Sequence, residues 1–255
     1  MKKNEAQRLQ QRPAPGGFIG HVADRVYGIY AWTAFVVCVS GAILSALLIP
    51  GLERRRRWVS SAARAWLLSA GIRTRVIGVD RIPEGHCVVV ANHCSYLDGL
   101  ILQAFLPPRF TFVIKGEMQK VPLAHVFLRR IGSRFVERFA VSASSRDARN
   151  LLRAAAAGES LALFPEGTFH PDPGLNRFRA GAFAAAIRGS LPIVPVVIQG
   201  SRHILPAGRI LPRHGDLQIT ILDPVGPADP AFRHSRTLAD TARRRILAVL
   251  DEPDL

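Results

Sequence analysis

The first group of residues that could do chemistry is the run Asn92–Asp98, with the sequence NHCSYLD, which directly follows the apolar segment Val88–Ala91. His93 and Asp98 are five residues apart, so the carboxylate can orient one ring nitrogen while the other accepts a proton. This is the pairing of a general base with an orienting acid that acyl-transfer sites use. Taken alone, the spacing is also explained by a capping aspartate and a hydrogen-bonded core histidine.

Cys94 and Ser95 adjoin His93 and are alternative nucleophiles. A neighbour in sequence seldom shares a catalytic hydrogen bond with a histidine, and neither residue lies in a GxSxG elbow. The general-base interpretation is therefore favoured. The side chains considered as metal ligands are His93, Asp98, His125 and His170. No HExxH or comparable ligand pair is formed by them, so we expect no metal ion.

A second polar group, Phe164–Thr168 with the sequence FPEGT, also follows an apolar run. A Pro-Glu-Gly turn after a buried strand can present backbone N–H groups and a carboxylate to the same crevice. An ordinary tight turn is the alternative. Because ligands of open α/β sheets bind beyond the carboxyl ends of the strands, we expect both groups at one edge of a sheet.

After residue 72, short β-rich runs alternate with helix-compatible segments. The predicted strands are Arg73–Val79, Cys87–Ala91, Phe110–Ile114, Ser133–Val136, Ser160–Phe164, Ile193–Ile198 and Leu217–Leu222. The predicted helices are Leu100–Leu106, Met118–Ile131, Ser144–Ala157, Ala182–Arg188 and an Arg-rich final helix within 230–250. This alternation predicts an α/β fold, with a mixed, largely parallel sheet of about seven strands covered by helices. We assign residues 73–255 to this domain.

Residues 1–25 are polar and contain a Pro- and Gly-rich run, which predicts a flexible tail. From Val26 to Leu52 no residue is charged, and about 20 such residues in a helix reach across a bilayer. A secretory signal peptide is disfavoured because the run starts late and is too long. The segment is predicted to be a membrane anchor that either spans the bilayer or, through Gly41 and Pro50, re-enters one leaflet.

Arg54–Arg57 follow the apolar run, and Tyr27, Tyr30 and Trp32 lie near its other end. The basic flank predicts that the rest of the chain is on the cytoplasmic face of the inner membrane. The arginines could also bind anionic headgroups. Trp58–Leu68 is predicted to be an interfacial helix, or else a helix packed on the domain. Residues 26–72 thus form the predicted anchoring unit.

The composition narrows the class of partner. The chain has 34 Lys and Arg against 19 acidic residues, a net charge of +15, and 48% hydrophobic residues. It is too apolar for a disordered protein, and its charge favours an anionic partner such as nucleic acid, acidic lipid or a phosphorylated substrate. No helix-turn-helix, zinc-finger or RNA-binding signature is present, so we expect no nucleic acid. Three cysteines without CxxC spacing indicate a reducing compartment.

Four ordered blocks together resemble the glycerolipid acyltransferase superfamily, whose best-known bacterial members are 1-acylglycerol-3-phosphate (lysophosphatidic acid) acyltransferases. The blocks are Asn92–Asp98, Gly132–Arg138, Phe164–Thr168 and Leu191–Val196. Between and after them, the segments Lys115–Leu123, Phe178–Ala182 and Gly200–Pro206 are also similar to the family. Four blocks in order are far more specific than one motif. The resemblance covers about residues 73–225.

The resemblance implies a role for each matching residue. His93 would take the proton of the attacking alcohol, with Asp98 supporting it. The acceptor site would be shaped by Glu166, Gly167 and Thr168. Its phosphate would be held by Lys115 and Arg138, to which we add Arg179. For each of these three cations, a solvated surface charge is the alternative.

The implied reaction transfers a fatty acyl group from acyl-CoA or acyl carrier protein to lysophosphatidic acid, giving phosphatidic acid in phospholipid biosynthesis. It needs no metal or organic cofactor. Many members carry Arg after the FPEGT block, where this sequence has Phe169 and His170. Another lyso-lipid, such as a lyso-ornithine lipid, is therefore the alternative acceptor. A second departure is His125, where many relatives have Gly, and we expect it to serve in packing.

Overall fold

The computed structural model describes residues 18–136, 153–154 and 158–255. In these ranges the helices are α1 (Phe18–Leu48), α2 (Leu52–Ser69), α3 (Asp98–Phe105), α4 (Pro122–Arg130), α5 (Gly181–Arg188), α6 (Ser201–Ile204) and α7 (Ser235–Leu250). The strands are β1 (Thr74–Ile77), β2 (Val88–Ala91), β3 (Thr111–Lys115), β4 (Arg134–Val136), β5 (Leu161–Leu163), β6 (Ile193–Gln199) and β7 (Leu217–Ile221). Short 3₁₀ turns occupy Val79–Arg81, Gly116–Lys120 and Pro230–Arg233.

The seven strands form one sheet in the order β1-β7-β6-β2-β5-β3-β4. Neighbouring strands are parallel except β6 and β7, which are antiparallel. The expectation of a mixed, largely parallel sheet of about seven strands is confirmed. Each predicted strand corresponds to an observed one, whereas most of the predicted helix Ser144–Ala157 lies outside the described residues. The carboxyl ends of β2 to β6 lie at the same edge of the sheet.

Strand β2 is at the centre of the sheet, and all four of its residues are fully buried. Val88 and Val90 pack in the cluster that contains α5 and α7, whereas Val89 and Ala91 pack in the cluster that contains α2 and α3. Helices therefore cover both faces, which is why the strand is an unbroken apolar run rather than an alternating one. This rigid strand leads directly into the His93 turn.

Helix α1 begins at Phe18, so residues 18–25 are helical and the prediction of a flexible tail to residue 25 is wrong for this part. The charged pair Asp24 and Arg25 marks the start of the uncharged run, but charge on a solvent-facing turn does not end a helix. Within the described residues, Gly20–Leu48 is the one helix long and apolar enough to cross a membrane by length and composition, with a mean hydropathy of 2.1.

One side of α1 packs on the domain. Its Gly28 allows close approach, because a Cβ there would lie 2.7 Å from Leu211 Cβ. Trp32 Nε1 donates a hydrogen bond of 2.6 Å to the carbonyl of Ile210, and Tyr27 donates to that of Ala70. In the predicted aromatic belt, Trp32 thus binds the domain and Tyr27 binds the end of α2. On the outer side, the exposed apolar side chains are Val26, Ile29, Val36, Val37, Leu44 and Leu48.

Arginines bind the carbonyls at the ends of two helices, α1 and α4. Arg130 of α4 donates to the carbonyls of Ala46 and Leu47 at the end of α1. Arg55 of α2 donates in turn to the carbonyls of Ile49 and Arg130. These carbonyls lack partners within their own helices, so the guanidinium groups satisfy them. Part of the basic run Arg54–Arg57 therefore binds protein backbone rather than lipid.

Arg56, which is 5% exposed, is the most buried arginine of that run. Its guanidinium donates to the carbonyls of Ile131, Gly132 and Pro108 and to the hydroxyl of Thr111. Burial lowers its pKa, but these acceptors match the fork of a guanidinium and hold the group in place. The two tryptophans of the predicted interfacial helix have different surroundings. Trp66 is in the core, whereas Trp58 is 60% exposed.

Candidate active site

Polar side chains that follow different strands meet at the carboxyl edge of the sheet. His93 follows β2, Lys115 ends β3, Glu166 follows β5, and Ser201 follows β6. Turns that follow neighbouring parallel strands converge, so residues far apart in sequence are brought together.

His93 and Asp98 form a direct pair. The ring nitrogen Nδ1 of His93 lies 2.9 Å from Oδ2 of Asp98, and Asp98 is fully buried. The carboxylate only accepts hydrogen bonds, so Nδ1 carries the hydrogen and Nε2 is left with a free lone pair. This is the tautomer that a general base requires.

The Asp98 carboxylate is held by further donors. Oδ2 accepts the backbone N–H groups of Cys94 at 2.7 Å and Ser95 at 2.8 Å, and Oδ1 accepts the Ser201 hydroxyl at 2.6 Å. A buried charge is tolerable only when donors of this kind replace the lost water. Asp98 therefore shapes the turn and orients His93 at the same time.

Aromatic rings surround the imidazole. Phe164 stacks on His93 with ring centroids 4.2 Å apart and an interplanar angle of 16°. The ring centroid of Phe169 lies 4.6 Å from that of His93, with the two rings tilted to each other. Phe169 also makes an edge contact with Tyr96. His93 nevertheless retains 19% of its side-chain exposure, so the ring is fixed while its free nitrogen remains accessible.

Glu166 joins the two sequence motifs. Its Oε1 accepts a hydrogen bond of 2.7 Å from the backbone N–H of His93. Its Oε2 accepts the backbone N–H and the side-chain amide of Asn176 at 3.0 and 3.1 Å. Burial raises the pKa of this carboxyl, and the hydrogen bonds from His93 and Asn176 partly offset that effect. Glu166 acts on the site through the backbone of His93.

Asn92 anchors the beginning of the turn to the next strand. Its side-chain nitrogen donates to the carbonyl of Ile198 at 2.9 Å, and its oxygen accepts the Ile198 N–H at 2.7 Å. The amide thus replaces a strand pairing where β2 ends. Fully satisfied buried networks of this kind fix one conformation.

The alternative nucleophiles are in poor positions. Cys94 is 3% exposed, and burial raises its pKa well above the ordinary value. Ser95 is fully buried and donates to the carbonyl of Leu205 at 2.7 Å. Neither side chain faces the cavity described below. Among the described residues, no group of three His, Cys, Asp or Glu side chains could hold a metal ion.

A cavity of about 700 Å³ opens beside His93 and runs between the sheet and helices α1 to α4. At the carboxyl edge it is lined by His93, Tyr96, Phe164, Gly167, Thr168 and Phe169. Its middle is lined by Phe35, Cys38, Val39, Trp66, Phe112 and Ile114, and its other end by Ala42, Val59, Phe127, Leu128, Ile131 and Ser133. Ile131 and Ser133 precede β4, so this end lies at the amino edge. The cavity therefore follows the whole length of a strand, about 16 Å for the five residues of β3.

The residues expected to bind substrate are distributed unevenly. Gly167, Thr168 and Lys115 line the cavity, and Lys115 also pairs with Glu117 at 2.7 Å. Arg179 is exposed, and its backbone N–H donates to the carbonyl of Pro165. It lies beside the Glu166 turn but is absent from the cavity lining. Arg138, which was also expected to bind substrate, lies outside the described residues.

Two features of the site were not predicted from the sequence. Ser201, the residue that binds Asp98, lies in Gly200–Pro206, a segment that resembles the family but had no predicted role for this serine. The N-terminal segment was predicted to anchor the chain or to pack as a helix, but no part of it was expected to line a site, whereas α1 and α2 provide a wall of the cavity. A hydroxyl after an apolar strand was the available signal for Ser201. His125, in contrast, packs edge-on against Phe135, in agreement with the expected packing role.

Comparisons with known proteins agree with this geometry. Residues 73–199 match the family model described as "Acyltransferase". The 1-acyl-sn-glycerol-3-phosphate acyltransferase alpha of Mus musculus is 30% identical over 221 residues, which is 82% of this chain and 76% of that protein. The chloroplastic 1-acyl-sn-glycerol-3-phosphate acyltransferase BAT2 of Brassica napus is 28% identical over 83% of this chain. The chain spans 63% of that relative's length.

A solved structure has the same fold. The crystal structure of PlsC, the 1-acyl-sn-glycerophosphate acyltransferase of Thermotoga maritima, superposes with a TM-score of 0.73 at 22% sequence identity. The match covers 90% of this chain and 97% of that one. Because only a tenth of this chain is left uncovered, the match extends into the α1–α2 region as well as the sheet.

Proposed function

This chain belongs to the acyltransferase family, and we propose that it transfers a fatty acyl group to the free hydroxyl of 1-acylglycerol-3-phosphate, giving phosphatidic acid. The observation that carries the proposal is the oriented His93–Asp98 pair at the mouth of an apolar cavity. A base at that point can contact both reactants: the acceptor hydroxyl approaches from the solvent side, and the acyl chain lies in the cavity.

His93 is the general base in the proposed mechanism. Its Nε2 takes the proton of the acceptor hydroxyl as the oxygen attacks the thioester carbonyl carbon. The new C–O bond forms, the C–S bond breaks, and the thiolate leaves and takes up a proton. Asp98 stabilises the imidazolium that exists in between, because its carboxylate lies 2.9 Å from Nδ1. No acyl-enzyme is formed, so neither Cys94 nor Ser95 is needed.

The cavity is proposed to hold the acyl chain of the donor. Its lining away from the mouth is apolar. Moving hydrocarbon from water to such a surface is favourable by about 0.8 kcal/mol per methylene. Its far end lies at the amino edge of the sheet, beside Ala42 and Ile131. The chain would lie along β3 with the thioester at His93. Acyl-CoA and acyl carrier protein both present an acyl chain in this form.

The acceptor phosphate is proposed to lie on the polar side of the mouth. Lys115 ends β3 and lines the cavity near His93, so its ammonium can meet a phosphate there. Arg138 and Arg179 belong to the same proposal by their positions in the sequence. Gly167 and Thr168 border the mouth and would contact the glycerol part of the acceptor.

A second candidate acceptor is another lyso-lipid, such as a lyso-ornithine lipid. The specific observation is Phe169, whose ring packs on both His93 and Tyr96. An aromatic side chain therefore stands beside the base at the position where many relatives carry an arginine. Aromatic faces attract cationic head groups, whereas they offer no bond to a phosphate.

Membrane association follows from the outer face of α1. The middle and the C-terminal end of this helix bind the domain, through Trp32 and through Arg130, while apolar side chains such as Val36, Val37 and Leu44 are exposed. We propose that this face enters one leaflet, so that the mouth of the cavity opens at the level of the lipid headgroups. The catalytic domain would then lie on the cytoplasmic face of the inner membrane, as the basic flank predicts.

The test is an acceptor panel with the purified full chain in detergent. Radiolabelled acyl-CoA or acyl carrier protein is supplied with lysophosphatidic acid, lysophosphatidylcholine or lyso-ornithine lipid, with and without EDTA. The proposal predicts transfer to lysophosphatidic acid that EDTA does not change. Transfer to lyso-ornithine lipid alone would favour the second candidate. Absence of transfer to every acceptor from both donors would contradict the function.

A further inference from the structure

The two oxygens of the Asp98 carboxylate have different partners. Oδ2 faces His93 and accepts the backbone N–H groups of Cys94 and Ser95. Oδ1 faces away from the imidazole and accepts the hydroxyl of Ser201 at 2.6 Å. Among the described residues, no other hydrogen bond reaches Oδ1. The Ser201 hydroxyl is thus the hydrogen-bond donor to the Asp98 oxygen that faces away from the base.

Ser201 is held rigidly in this position. It is fully buried and begins α6, directly after Gly200. Gly200 has φ of 90°, and a Cβ there would collide with the carbonyl oxygen of Asp216. Only glycine fits such a backbone, so the approach of β6 to β7 fixes where Ser201 lies. Ser201 is not in contact with the cavity, because it is absent from the lining.

The direction of the hydrogen bonds is also determined. Cys94 Sγ lies 3.2 Å from Ser201 Oγ, and its raised pKa keeps the thiol protonated. The Ser201 hydrogen is directed to Asp98, which can only accept, so the thiol donates to Ser201. The chain of donors therefore runs from Cys94 through Ser201 to Asp98, and each bond polarises the next.

We propose that Ser201 is a positioning residue that tunes the general base through Asp98. Its hydrogen bond draws negative charge toward Oδ1 and fixes the rotation of the carboxylate, so Oδ2 orients the imidazole without binding its protonated form too tightly. The inference rests on the proposed function, because it takes His93 as the proton acceptor. The other charged or titratable groups facing this network are Cys94, Glu166 and the Arg202–Glu252 ion pair.

The experiment compares wild type with Ser201→Ala over a pH series. Without the hydroxyl, Asp98 holds the imidazolium more strongly, so a higher pH is needed to free the base. We expect kcat at neutral pH to fall about tenfold, as for a lost hydrogen bond to a charged group. The acid limb of the pH–kcat profile should move up by about half a pH unit. The KM values for both substrates should stay within about twofold, because Ser201 touches neither.

Two further variants keep the test decisive if Ser201→Ala folds poorly. Ser201→Thr retains the hydroxyl and should restore the acid limb, whereas Ser201→Cys replaces it with a weaker donor and should shift the limb in the same direction as Ala. Ser160→Ala is the matched control, since Ser160 is also a buried serine but bonds only toward His86. Its profile should match wild type.

Wild-type acid limbs in both Ser201→Ala and Ser201→Cys would overturn the proposal. So would a loss of kcat with an unmoved limb, because that result indicates a purely structural serine. Failure of the proposed function is recognised separately, by titrating the His93 ring of each variant by NMR with His93→Gln for assignment. An upward displacement of that titration in Ser201→Ala supports the coupling even when no acyl acceptor is found, and an unmoved titration contradicts it.

Discussion

The carboxylate of Glu166 accepts a hydrogen bond of 2.7 Å from the backbone N–H of His93, although the two residues are 73 positions apart. The turn after β5 thus holds the turn after β2 by its main chain. Both oxygens of Glu166 are engaged with protein donors, so its contribution to the acceptor site passes through the position of the base. This bond joins the two sequence motifs in the fold.

Glu166→Gln should therefore reduce kcat. Gln keeps one oxygen acceptor but turns an NH₂ group toward either His93 N–H or the Asn176 donors, and two donors cannot pair. We expect kcat to fall about tenfold or more while the chain stays folded. Steady-state kinetics with Glu53→Gln, an exposed carboxylate paired with Arg57, provide the control. Equal kinetics for both variants would show that the hydrogen bond between Glu166 and the His93 N–H does not contribute to catalysis.

The cavity should determine which acyl chains are accepted. Ala42 lines the end of the cavity far from His93, so Ala42→Phe fills space that a long chain needs. We expect the ratio of kcat/KM for C16 to C10 donors to fall about tenfold or more, since each displaced methylene is worth about 0.8 kcal/mol. Val37→Phe, on the exposed face of the same helix, is the control and should leave the ratio unchanged. An unchanged ratio in Ala42→Phe would place the chain elsewhere.

The cysteines give a prediction about chemical modification. Cys38 lines the cavity, whereas Cys87 and Cys94 are buried and their pKa values are raised, that of Cys87 to about 11. N-ethylmaleimide at pH 7.5 should therefore label Cys38 first and inactivate the enzyme by filling the cavity. Cys38→Ser should resist inactivation. Loss of activity in this variant, with label on Cys94 by mass spectrometry, would revive the cysteine nucleophile.

Arg56 should stabilise the junction of α2 with the strand β3 and the end of α4. Arg56→Lys keeps the charge but cannot reach four acceptors in different directions. We expect a loss of about 2 kcal/mol in the free energy of unfolding by urea. Arg54→Lys changes an exposed residue of the same run and should cost less than about 0.5 kcal/mol. Similar midpoints for the two variants would refute the structural role.

Local pattern was sufficient for much of the fold. The seven strands were predictable because buried apolar runs such as Val88–Ala91 are bounded by polar turns, and the His93–Asp98 pair was predictable because both residues lie on one turn. The Ser201 contact was not, since it depends on β6 lying beside β2, which only the sheet order reveals.

The N-terminal helix illustrates the same limit. An uncharged run of membrane length has one pattern whether its partner is lipid or protein. Only the contacts show that one side of α1 packs on the domain, through Gly28 and Trp32, and lines the cavity. The basic run Arg54–Arg57 likewise has the pattern of a topology signal, but Arg55 and Arg56 bind backbone carbonyls.

We propose that His93 is the base for acyl transfer to lysophosphatidic acid. The most direct measurement is the rate of phosphatidic acid formation by wild type, His93→Ala and Asp98→Asn, with His203→Ala as the control histidine outside the cavity. We predict a loss of at least about 100-fold for His93→Ala, a smaller but clear loss for Asp98→Asn, and a near wild-type rate for His203→Ala. A His93→Ala enzyme as active as wild type would contradict the assignment of His93 as the general base.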